Sequence, residues 1–148
     1  MAPTSDKILR QDRQAVAVLE FMLLAPLLFA LVLAVIDFGW LVWSVDAVQE
    51  TATVGARCMG VLGTSCTSAG TYSSTATASY VQTYAQARGV TVPANSITLN
   101  NSSTCGTATG FSKVTISYQA ASIVPDILRT FAPSLTMNVS ACFPNQPS

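Results

Sequence analysis

FMLLAPLLFALVLAVI (residues 21–36) runs sixteen residues without a charge, and beyond Asp37 the apolar run resumes through Trp40, Leu41, Val42, Trp43 and Val45. Eleven of those sixteen are Leu, Ile, Val or Phe. At the centre of a membrane helix each contributes about −0.3 to −0.6 kcal/mol, roughly −5 together, against about +3 for a centrally placed acid such as Asp37. The acid does not veto insertion, and the stretch is predicted to cross a bilayer as one helix. At about 1.5 Å per residue Glu20 and Asp37 lie roughly 25 Å apart, so each reaches one face of a hydrocarbon core about 30 Å thick. Trp40 and Trp43 follow Asp37 as an aromatic belt at the far headgroup level. A buried helix of a soluble protein is the competing reading, which the length disfavours.

Toward the N-terminus, Lys7, Arg10 and Arg13 precede the span, whereas the nearest cation after it is Arg57, twelve residues past Val45. Positive charge stays inside, so the N-terminus is expected in the cytoplasm and the rest of the chain on the far side of the membrane. A cleavable secretory signal fits poorly, because the run is long and no small-x-small site follows it. Pro26 removes one helix hydrogen bond and is expected to bend the helix, a defect membrane helices tolerate. Ala30 and Ala34 form a small-xxx-small pair that admits a partner helix.

Toward the C-terminus the helix is expected to continue as a stalk through Met59, with Val45, Val48, Ala52 and Gly55 on one stripe, and to end near Gly60 to Gly63. A Ser/Thr/Ala/Gly-rich stretch, Thr64 to Thr77, reads as a polar surface loop. Tyr80/Tyr84 and Val81/Ala85 sit four apart, which predicts a short helix over Ala78 to Arg88 closed by Gly89. Val114, Ile116 and Tyr118 alternate with polar residues, as do Leu135, Met137 and Val139, and both segments read as half-buried strands. Ile97 and Leu99 mark a weaker strand, and Ile127, Leu128 and Phe131 give helical spacing to the connection Ile123 to Pro133. The class is α+β: a long N-terminal membrane-spanning helix and stalk, then a small antiparallel sheet with one or two short helices.

Composition narrows the chemistry. The 148 residues have zero formal net charge, 9% charged side chains and no histidine, which offers neither a phosphate-binding surface nor the commonest general base and metal ligand. Nucleic acid, a small-molecule substrate, a cofactor and a metal are all unexpected, as is an enzyme, since no nucleophile–base pair or phosphate loop is visible. Cys58, Cys66, Cys105 and Cys142 contain no C-x-x-C pair, so disulfides are the better reading. Four cysteines allow three pairings. Cys58 with Cys66 and Cys105 with Cys142 is favoured, the first closing a short loop where the stalk ends, the second tying the loop before one strand to the end of another. Asp46 and Glu50, four apart on the stalk, read as a solvated face.

The elements AVAVLEF (15–21), LAPLL (24–28), DFG (37–39) and GAR (55–57) together resemble the N-terminal signature of TadE-like proteins. The resemblance covers about a third of the chain, from Arg13 to Arg57, and the paired strands near the end look similar in a softer way. It implies a pilin-like fold and a structural or assembly subunit, a minor pilin or pseudopilin, of a Tad pilus. Partners implied are other pilin-like and Tad assembly subunits and a prepilin peptidase acting at the cytoplasmic face. Carried over by position, Glu20 matches the pilin-type glutamate, which puts the cut between Ala15 and Val16. Glycine commonly precedes that cut, and here Ala15 stands in its place. The domains expected are then a basic leader (1–15), a membrane helix and stalk (16–60) and a disulfide-stabilised periplasmic part (61–148). The alternative is a generic membrane-anchored periplasmic binding or scaffold module, against which stands Glu20, since a plain anchor gains nothing from an acid at that position.

Overall fold

A computed structural model describes residues 4–119 and 136–146, with side chains described at Val16 and from Val18 onward within the first helix. The helical spacing at Ile127, Leu128 and Phe131, the strand start at Leu135 and the side chains of Lys7, Arg10, Arg13 and Ala15 lie outside the described residues. The first helix, α1 (Thr4–Gly60), passes through Pro26 without interruption. Two compact units divide the chain, Met1–Gly39 and Trp40–Ser148.

In the first unit the helix carries large apolar side chains on every side, among them Phe21 at 71% and Leu23 at 78% exposure. A helix apolar all round needs an apolar surround to be stable. Among the described residues it is the one helix long and apolar enough to cross a membrane.

In the second unit the last turns of α1 are followed by a two-residue ribbon, β1 (Thr67–Ser68) with β2 (Thr71–Tyr72), and by α2 (Ser74–Ala87). Three antiparallel strands complete it in the order β3 (Ile97–Cys105), β4 (Ala108–Gln119), β5 (Thr136–Pro144). The class is therefore α+β, as the alternation of β4 and β5 implies. Val114, Ile116 and Tyr118 are buried on one face with Val139, while Thr115 and Ser140, paired in register, belong to the opposite face. Ile116 also pairs with Ile97, which makes β3 a full partner of nine residues rather than a minor strand. Gly106 opens the β3–β4 hairpin at φ +66°, and Cys105 pairs with Ala108 across a two-residue loop. That is the position where such a turn requires glycine.

The core joins α1, α2 and the sheet: Ala47, Val48, Ala52, Ala56 and Met59 meet Val81, Ala85, Val114 and Ile116. Small residues on α1 let the other two layers come close. At Gly55 a Cβ would lie 2.7 Å from Val81 Cγ2 and 3.5 Å from Val114 Cγ2. Gly55→Val is expected to destabilise the unit by about 1–3 kcal/mol through overpacking, read as a lower denaturant midpoint of the detergent-solubilised chain. An unchanged midpoint would mean the three layers are not held this tightly.

Helix α2 begins a turn before the expected Ala78. Ser73 caps it by accepting from Ala76 N at 3.3 Å, and Thr77, fully buried, donates its hydroxyl to Ser73 O at 2.8 Å. The stretch Thr64 to Thr77 is thus not a plain surface loop. It holds a 3-10 turn, the ribbon, the buried Cys66 and the first turn of α2. The far end of α2 closes with Gly89 at φ +79°, Gly89 N donating to Gln86 O and Val90 N to Ala85 O, both at 3.0 Å. Ala85 and Val90, both buried, supply the apolar contact that accompanies this glycine cap.

Asn145 and Gln146 are tied to α1, β3 and β4. Gln146 N donates to Gly60 O and Asn145 N to Gly110 O, both at 2.9 Å. Asn145 Nδ2 donates to Asn101 O at 2.8 Å, which fixes that amide and leaves its Oδ1 to accept from the buried Ser112 hydroxyl at 2.6 Å. Ser112 Oγ also lies 2.7 Å from Asn101 Oδ1. A hydroxyl has one proton, so the Asn101 amide presents its nitrogen there instead.

Candidate functional site

Val16, Glu20, Pro26, Ala30, Ala34 and Asp37 recur along α1 at steps that, at about 100° per residue, fall within roughly a third of the helix circumference. Phe21, Phe29, Val32, Ile36 and Trp43 fall on the other side by the same count. Leu19, Leu23, Leu27 and Phe38 share the first arc, so the two acids and the alanine pair lie on one face among large apolar side chains. Val16 and Glu20 stand one turn apart, Val16 being 56% exposed and Glu20 also exposed. The Ala30/Ala34 pair admits close helix approach, and a carboxylate on the same face has a strong requirement for a partner when removed from water. The proline and the two alanines needed no structure to be found, but their common side with Glu20 follows only from an unbroken helix through Pro26.

The four cysteines form two bridges. Cys58 joins Cys66 with Cα atoms 5.9 Å apart, and Cys105 joins Cys142 at 6.5 Å. The first lies where α1 turns away at Gly63, whose Cβ would come 3.2 Å from Cys58 Sγ. The second connects β3 with β5, the two strands that flank β4.

Asp46 is exposed, whereas Glu50, partly exposed, is held by partners from α2. Arg88 grips both of its carboxylate oxygens through Nη1 and Nη2, and Tyr84 donates its hydroxyl to Glu50 Oε1 at 2.9 Å. Arg88 Nη2 also donates to Tyr84 Oη at 2.9 Å, with the guanidinium 5.1 Å from the centre of that ring. The cluster ties α2 to α1 across a separation of 38 residues. The spacing of Asp46 and Glu50 reads as a solvated face and gives no sign of Arg88, a partner that only the tertiary fold brings near. Hydrogen bonds from Arg88 and then Tyr84 hold the Glu50 carboxyl below its ordinary value of 4.5, and the same carboxylate raises both Tyr84 and Arg88.

A lowered carboxyl contributes stability that is complete above its unfolded pKa and lost as pH falls through the folded one. The side chains are half-exposed, so the contribution is small. The melting-temperature gap between the native chain and Glu50→Gln is therefore expected to be modest at neutral pH and to close as the pH is taken below 4.5. A gap that persists in acid would contradict the pairing.

No group of three His, Cys, Asp or Glu side chains able to hold a metal occurs among the described residues. No curated protein and no solved structure matches the chain. A family model does match, that of TadE-like protein, over residues 15–57. The matched segment takes in the apolar helix, Glu20, Pro26, the alanine pair and Gly55. The match and the apolar helix together fit a membrane-anchored protein. Over residues 15–57, less than half of its length, the chain is thus similar to TadE-like proteins.

Proposed function

We propose that the chain is a structural or assembly subunit of a Tad pilus, a minor pilin or pseudopilin held in the inner membrane by α1. The observation that carries this reading is the coincidence of the TadE-like match with a helix that is apolar all round yet has Glu20 at its start. In this reading residues 1–15 are a cytoplasmic basic leader, 16–60 the membrane helix and stalk, and 61–148 a periplasmic part. A prepilin peptidase removes the leader between Ala15 and Val16. Glu20 then meets the new amino group of Val16, on its own chain or a neighbour, while Pro26, Ala30 and Ala34 seat the helix against other pilin-like helices.

A charge pair at the membrane edge is poorly screened, so it sets the register of one helix against the next, whereas an unpaired carboxylate there is costly. The C-terminal unit then works as a folded head, stiffened by its two disulfides, that meets partner subunits outside the membrane.

Mass measurement of the chain recovered from sheared pili and from membranes tests the reading in one experiment. A mature chain beginning at Val16 is expected. Recovery only of a chain beginning near Met1 would remove the amine on which the role of Glu20 depends.

A further inference from the structure

We infer that the end of the folded head formed by the C-terminus of α2 and the turn after it, Arg88 to Asn95, rests on the lipid headgroups beside Trp43. The inference depends on the membrane reading of α1.

Two close approaches fix the direction of the head along α1. Gly55 faces Val114, and Gly60 faces Phe143, which pairs with Ser112. Strand β4 therefore advances from Ser112 toward Tyr118 as α1 is followed back toward Trp40. Helix α2 runs the same way. Val81 meets Gly55, the side chains of Tyr84 and Arg88 reach Glu50, and the Arg88 carbonyl lies 3.5 Å from Trp43 Nε1. That last contact is too long to be strong, but it sets a height. The C-terminus of α2 is level with Trp43.

About twenty helical residues fill a hydrocarbon core, which counted from Phe21 puts its far boundary near Trp40. Trp43 lies about 4.5 Å farther along the axis, inside a headgroup layer roughly 5–7 Å deep. Its indole is 59% exposed, as an interfacial anchor requires. The chain then turns at Gly89, Val90 N donating to Ala85 O at 3.0 Å and Gln82 Nε2 to Val92 O at 3.1 Å.

The surface this presents suits headgroups. From Gly89 to Ser112 the chain has no charged residue, and Val90 and Val92 turn into the core while Gly89, Thr91, Pro93 and Asn95 stay exposed. Irregular backbone with open carbonyls cannot enter hydrocarbon, so the contact stops at the headgroup layer. Hydroxyl and amide groups of Thr91 and Asn95 hydrogen-bond there, and the one charge in the seat, Arg88, is paired with Glu50.

Nuclear magnetic resonance of the full chain in phosphatidylcholine nanodiscs doped with a gadolinium-chelating headgroup lipid tests this. The Trp43 indole and the Gly89 and Thr91 amides are expected to lose most of their intensity. The amide of Gly106, at the opposite end of the sheet, about 26 Å from Ile116 at about 3.3 Å per strand residue, is expected to keep its own. Loss at Trp43 with Thr91 preserved would overturn the headgroup seat and leave the membrane helix standing. Preservation at Trp43 as well would overturn both, because the helix would not be in the bilayer as read.

Discussion

A chain carrying Glu20→Leu is expected to accumulate in the membrane at normal abundance and to leave its cells with few or no surface pili. Removing an acid from the edge of an apolar helix favours insertion, since leucine contributes about −0.5 kcal/mol where an acid at the helix centre costs about +3. In the proposed reading the same change leaves the Val16 amine of the processed chain without its partner. Truncating one member of a desolvated charge pair at an interface costs about 2–5 kcal/mol, thirtyfold or more in an association constant. Insertion and assembly should thus part company in one variant. Abundance is measured in the same cells, because loss of the chain would by itself remove pili. Normal piliation at normal abundance would show that Glu20 is only an interfacial charge, and would favour an anchor whose periplasmic part does the work.

Removing the Cys105–Cys142 bridge by Cys105→Ser with Cys142→Ser is expected to destabilise the head more than removing Cys58–Cys66. The bridges span 37 and 8 residues. Loop-closure entropy alone gives roughly 4 kcal/mol for the longer and about 2.5 for the shorter. A domain of this size has a net stability of only about 5–15 kcal/mol, so the longer bridge decides whether the head stays folded at growth temperature. Denaturant midpoints of the two double variants, with the native chain beside them, make the comparison. Equal losses, or the reverse order, would locate the effect of the bridges in native contacts rather than in the unfolded chain.

Much of the fold was legible because its signals are local. The uncharged run at 21–36, the period of two in β4 and the glycine after α2 each act within a few residues, and each appears where its pattern points. Thr64 to Thr77 was not legible in this way. The residues it buries, Cys66 and Thr77, are held by a disulfide and by hydroxyl bonds to backbone, which leave no apolar period behind. The tie between Glu50 and Arg88 was not legible for a different reason. Arg88 is brought near by the packing of α2 along α1 at Gly55, a close approach that a single glycine in sequence does not announce. Within the candidate site the residue types were readable one by one, and the shared face of Glu20, Ala30, Ala34 and Asp37 required the helix.

The central claim is that the chain serves Tad pilus assembly, and counting surface pili in a strain lacking only this chain tests it most directly. Pili are expected to be lost or sharply reduced and to return when the intact chain is supplied in trans; normal piliation in its absence would contradict the account.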